Sequence, residues 1–180
     1  MRRARLAALS LALIAAIAAC GGGDGDGTKT FEEEGYAFTF EYPGSFEETS
    51  DVSYSSTAGG EAQDTVGVGL DDRNAIVVSR YDLNSPVTAE NVADVKAELD
   101  GVMSQVSGQE LSGEQVEIGG FPGFEYTFDL ENPPEGRSRF LALFDGRTEY
   151  TLNCQSTPER RDEIEAACRQ AVETLAKTGD

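Results

Sequence analysis

Tyr36, Phe38, Phe40 and Tyr42 are aromatic at every second position, separated by Ala37, Thr39 and Glu41. That period of two requires an extended strand with one face buried against a core, and it sets the fold class before anything else is read. Pro43-Gly44 ends the segment. The same period returns twice. Val66, Val68 and Leu70 alternate with Thr65, Gly67 and Gly69, and a turn at Asp71-Asp72-Arg73-Asn74 leads into a denser apolar strand over Ala75 to Leu83, the pattern of a hairpin. Phe124, Tyr126, Phe128 and Leu130 then alternate with Glu125, Thr127 and Asp129. After the break at Asn132-Pro133-Pro134-Glu135-Gly136, Arg139 to Phe144 is apolar at nearly every position, which predicts a strand covered on both faces. Asp145-Gly146 fits a tight hairpin turn into Thr148 to Gln155.

Two segments switch to helical spacing. The first starts near Thr88 as N-cap, carries Val92, Val95, Leu99, Val102, Met103 and Val106 on one face and stops at Gly108. The second takes Thr157 as N-cap and Pro158 at the first helical position, where a missing N–H costs nothing; its stripe is Ile164, Cys168, Ala171, Val172 and Leu175. Strands, helix, strands, helix in that order predict an α+β fold: a central, mainly antiparallel sheet packed by two or so helices.

The start of the chain has a different composition. Arg2, Arg3 and Arg5 precede an apolar run from Leu6 to Ala19, the layout of a secretory signal and too short to span comfortably as a membrane helix. The run ends Ile17-Ala18-Ala19-Cys20-Gly21, which resembles the lipobox of bacterial lipoproteins: an aliphatic residue, two small residues and a cysteine. The resemblance implies cleavage between Ala19 and Cys20 and acylation of Cys20, with palmitate among the chains. Two or three acyl chains would hold the protein firmly on a membrane. Residues 20–35, glycine-rich and then acidic, read as a flexible stalk of about 20 Å mean reach. Residues 36–177 form one domain. Loss of residues 1–19 removes three arginines and no acid, leaving 11 basic residues against 33 acidic ones, a net charge of −22 in place of −19.

An exported chain lives where disulfides persist. In the last predicted strand Cys154 shares parity with Tyr150 and Leu152 and so points to the apolar face; Cys168 lies on the apolar stripe of the helix that covers it. A Cys154–Cys168 bridge is expected, pinning the C-terminal helix to the sheet edge. The third cysteine is then the lipid anchor and no free thiol is left.

Gly35-Tyr36 through Tyr42-Pro43-Gly44-Ser45-Phe46 resembles the opening of the PsbP-like fold, with Phe46 standing where that pattern has Trp or Phe. Gly120-Phe121-Pro122-Gly123-Phe124-Glu125-Tyr126, the Asp145-Gly146 hairpin and Cys154 with Cys168 resemble exported actinobacterial lipoproteins of the LpqN type. The resemblance spans residues 31 to 177 and implies a central antiparallel sheet between helices, in a family mostly of non-catalytic binding or accessory proteins.

Chemistry is bounded by what is missing. With no histidine there is no Ser-His-Asp triad, Cys-His dyad or imidazole metal ligand, and phosphate-binding glycine loops and nucleophile elbows are absent. No catalytic residue, cofactor or metal ligand is assigned, although a calcium site of carboxylate oxygens needs no histidine. Glu125 and Asp129, on one strand face, and Asp71-Asp72, in one turn, read as solvated acids. At −22 nucleic acid is repelled. The expected partners are the membrane, through Cys20, and an envelope protein or a small apolar or cell-wall ligand. The alternative is an envelope hydrolase using an acidic residue pair.

Overall fold

The alternating segments are strands, and the computed structural model, which describes residues 27–49, 64–130 and 136–179, sorts them into two antiparallel sheets. The chain runs β1 (Thr28–Phe31), β2 (Phe38–Pro43), β3 (Glu47–Thr49), β4 (Asp64–Asp71), β5 (Asn74–Asp82), α1 (Val92–Ser107), β6 (Glu114–Ile118) and β7 (Phe121–Leu130). It continues through β8 (Gly136–Asp145), β9 (Thr148–Ser156), a short 3-10 turn at Pro158–Arg160, α2 (Arg161–Thr174) and β10 (Ala176–Lys177). The signal, Ala19 and Cys20, most of the expected stalk and the Asn132 to Glu135 break lie outside the described residues.

The larger sheet has the order β3-β4-β5-β9-β8-β7-β6, and β1-β2-β10 forms the smaller one. Parity does the rest. One face of the large sheet contributes Ile76, Val78, Leu141, Leu143, Tyr150 and Leu152 to a core shared with the aromatics of β1 and β2 and with Ile164, Ala167 and Ala171 of α2. The other contributes Phe124, Tyr126, Phe128, Phe140, Ala142 and Phe144 to a second core closed by Leu99 and Met103 of α1. The fold is thus the α+β sandwich expected, with β8 covered on both faces. Among the described residues no helix is long and apolar enough to cross a membrane.

Four local expectations are revised. Residues 28–31, placed in the stalk, are β1: they pair with β2 from Thr28↔Pro43 to Phe31↔Phe40 and bury Phe31 completely. The aromatic strand therefore sits in the small sheet stacked on the large one. The first helix begins at Val92, with Asn91 as N-cap; Thr88 opens the preceding turn, where its N–H donates to Asn91 Oδ1 at 2.7 Å. The second is entered through the 3-10 turn after Thr157, and Leu175 lies just past its end, buried.

Turn chemistry closes two hairpins, one central and one at the edge. Gly146 (φ 59°) supplies the left-handed position between β8 and β9, as expected from Asp145-Gly146, and Gly119 and Gly120 (φ 60° and 84°) join β6 to β7 with both turn residues left-handed. α1 is fastened to the sheet by Asp100, whose Oδ1 accepts from Tyr126 Oη at 2.8 Å and Gly113 N–H at 2.9 Å while Oδ2 accepts from Lys96 Nζ at 2.7 Å. Partial desolvation raises the pKa of this carboxyl, but the donors outweigh it and hold the group at about 2.

Candidate functional site

The cleft lies between α2 and the β7–β8 hairpin, and strand register builds it. Thr127 pairs with Arg139 and Asp129 with Arg137 across β7 and β8; Arg139 pairs with Cys154 and Arg137 with Ser156 across β8 and β9. All of these point to the face that α2 covers, and α2 contributes Ile164, Glu165, Cys168 and Arg169. The cleft encloses about 250 Å³.

Its back wall is the Cys154–Cys168 disulfide, with Cα atoms 6.0 Å apart. The bridge does not pin α2 to a sheet edge, as was expected, because β9 is the middle strand of seven. It ties the helix to the centre of the sheet. Arg139 lies against it, with Nη1 4.0 Å from Cys168 Sγ, and grips Glu125 with two hydrogen bonds: Nε to Oε1 at 2.7 Å and Nη2 to Oε2 at 3.1 Å. Glu125 is accordingly no solvated acid; its side chain is 23% exposed and bidentately paired.

Asp129 is more open, at 62%, but stands between two cations, Arg137 at 3.7 Å and Arg161 at 3.8 Å. Glu165 is 3.6 Å from Arg137 Nε. Four arginines and three acids therefore meet here, in a chain whose charge is otherwise strongly negative. The four arginines escaped the sequence reading. The signal was present in the alternation of Arg137 and Arg139 with Ser138 and Phe140, opposite Glu125, Thr127 and Asp129, but it needs the hairpin register to be seen.

Glu125 and Asp129 are four residues apart on one strand, about 13 Å along it, whereas a glycosidase pair spans about 5–9.5 Å. Of the turn pair, Asp71 is structural: its Oδ1 accepts from the N–H groups of Arg73 and Asn74, each at 2.9 Å. Desolvation raises its pKa, and these bonds with that from the Asn74 side chain more than reverse the effect. Among the described residues no group of three or more Cys, Asp or Glu is placed to hold a metal ion.

One acid lies on the opposite face. Glu149 of β9 is 7% exposed, and its Oε1 is buried without a donor among the described residues. Burial, and secondarily the charge of Glu98, push its pKa up to about 7. In the unfolded chain this carboxyl ionises from about 4.5, so between the two values folding takes up a proton and stability falls as pH rises. Glu149→Gln removes that penalty. Urea melts will show a gain of about 1–3 kcal/mol at pH 8 and almost none at pH 4; an equal effect at both pH values contradicts the assignment.

No family model matches the chain, and no curated protein matches it in sequence. Solved structures do match in shape. The solution structure of cyanobacterial PsbP (CyanoP) from Synechocystis sp. PCC 6803 has a TM-score of 0.59 at 12% identity, covering 90% of this chain and 99% of that one. LpqN, involved in cell envelope biogenesis of Mycobacterium tuberculosis, has a TM-score of 0.53 at 13% identity, covering 87% of each chain. A crystal structure from Bacteroides thetaiotaomicron has a TM-score of 0.53 at 11% identity, covering 84% of this chain and 49% of its own. The fold is PsbP-like.

Proposed function

We propose that the protein is an extracytoplasmic lipoprotein of the LpqN type, anchored to the cell membrane at Cys20, and that it serves the cell envelope as a non-catalytic binding or accessory module. The observation that carries the non-catalytic reading is the pairing inside the cleft. Glu125 is held by Arg139 through two hydrogen bonds, and Asp129 lies about 13 Å along the same strand, too far to act with it as a hydrolytic pair. The disulfide supports an oxidising compartment. The PsbP-like fold, shared with a protein involved in cell envelope biogenesis, supports the setting.

β1 shortens the tether. Between an acylated Cys20 and Thr28 lie seven residues, which span at most about 28 Å. The domain is thus held near the membrane surface, and its −22 charge keeps it from lying flat on anionic lipid. The test is metabolic labelling of the full chain with an alkyne palmitate in a bacterial host, followed by fractionation and a chromogenic glycoside and ester panel. Label in the membrane fraction, lost together with membrane retention in Cys20→Ser, is expected, with no turnover. Unlabelled wild-type protein defeats the anchor, and turnover of a panel substrate defeats the non-catalytic reading.

A further inference from the structure

We infer that the cleft between α2 and the β7–β8 hairpin binds the carboxylate group of a ligand, with Arg137 and Arg169 as its donors. This deepens the binding-module reading and rests on it. The donors in the cleft are not equally committed. Arg139 is spent on Glu125. Arg137 has the carboxylates of Glu165 and Asp129 at 3.6 Å and 3.7 Å, too long for hydrogen bonds, so its guanidinium, which lines the cleft, makes no hydrogen bond among the described residues. Arg169, on the exposed side of α2, lines the same cleft and makes no ion pair among the described residues. Arg161, paired with Asp129, has a buried Nε with no hydrogen-bond partner among the described residues.

An isolated surface arginine is satisfied by water. A guanidinium beside apolar groups is harder to hydrate there, and Ile164 and the disulfide line the cleft together with Arg137 and Arg169. Ser156 adds a hydroxyl at the side of Arg137. Two guanidinium forks beside a small apolar surface match the planar, two-oxygen end of a carboxylate that carries a short apolar group.

Charge selects among anions. The chain's overall charge repels a dianion about twice as strongly as a monoanion, and Glu165 at the cleft adds to that. A singly charged carboxylate suffers least and still satisfies a fork bidentately. It can belong to a free small acid or to the end of a peptide.

The experiment follows arginine Nε–H signals by NMR in the full chain in neutral detergent, titrated with N-acetylalanine, N-acetyl-alanyl-alanine, N-acetylalanine methylamide and inorganic phosphate. The carboxylates are expected to give saturable shifts at Arg137 and Arg169, at least ten-fold weaker in Arg137→Gln and in Arg169→Gln, with no saturable shift from the methylamide. Tighter saturation by the dipeptide assigns the site to peptide ends, and equal saturation assigns it to small free acids. Shifts that never saturate, that persist in both variants while their melts match wild type, or that saturate more tightly with phosphate overturn the proposal. Neither result depends on palmitate labelling: an unlabelled Cys20 with a working cleft removes the anchor alone, and a labelled chain with a silent cleft removes the carboxylate site alone.

Discussion

Phe31→Ala will lower the unfolding free energy by about 3–5 kcal/mol, the usual loss for a buried aromatic ring cut back to a methyl. Phe31 is 0% exposed and stacks on Phe40 with centroids 4.6 Å apart. It also meets Phe38 at 5.9 Å and the edge of Tyr36 at 5.5 Å. The ring is the hub of the small aromatic sheet, and no neighbour is flexible enough to refill its place. Thr28→Ala, at the exposed start of the same strand, should move stability by less than about 0.5 kcal/mol. Urea denaturation of both variants gives the comparison. A loss under about 1 kcal/mol for Phe31→Ala would mean that β1 contributes nothing and that the stalk extends to Gly35 as its composition suggests.

The second large effect is expected from the double variant Cys154→Ala, Cys168→Ala. Closing a loop with a sequence separation of 14 stabilises by about 3 kcal/mol on the chain-entropy account. Both cysteines are nearly fully buried, so their sulfur atoms also leave packing unmade in the core beneath α2. Replacing both partners together leaves neither of them as an unpaired thiol in the core. Hydrogen exchange should locate the loss: protection falls across α2 while β8 and β9, each paired on both sides, keep theirs. Unfolding free energies within about 0.5 kcal/mol of each other would show that the bridge only decorates contacts already sufficient. In wild type, two thiols reactive without reduction would show that it does not form.

Strands with strong alternation were legible residue by residue. β2, β4 and β7 carry the alternation of a half-buried strand, β5 and β8 are short apolar runs bounded by turn residues, and both helices show a stripe at helical spacing. β1, β3, β6 and β10 were not. They are two to five residues long and sit at edges, so their sequences hold too few apolar positions to show a period. Thr28-Lys29-Thr30-Phe31 offers one buried side chain and becomes a strand because β2 is there to pair with it. Glu114 to Ile118 does so because Gly119-Gly120 folds it back on β7.

The disulfide was legible for a different reason. Parity along β9 and the helical period of α2 each fix a side-chain direction, and both directions led to the same face. Parity could not say where β9 lies in the sheet. That depends on which strands pair, and it moved the bridge from the expected edge to the centre. The acids show the same limit. Alternation put Glu125 and Asp129 on the polar face of β7, and a polar face is taken for a wet one until something covers it.

The sequence by itself thus determined the α+β class, the chain order of its main elements, the meeting of Cys154 with Cys168 and the excess of acid over base, because each follows from local periodicity or composition. The tertiary structure alone decided that residues 28–31 belong to the fold, that the bridge is central, and that arginines 137, 139 and 161 meet the acids of β7 beside a cleft that Arg169 also lines. Those outcomes depend on strand register and on what packs over a face, contacts between residues far apart in the chain that no local pattern encodes.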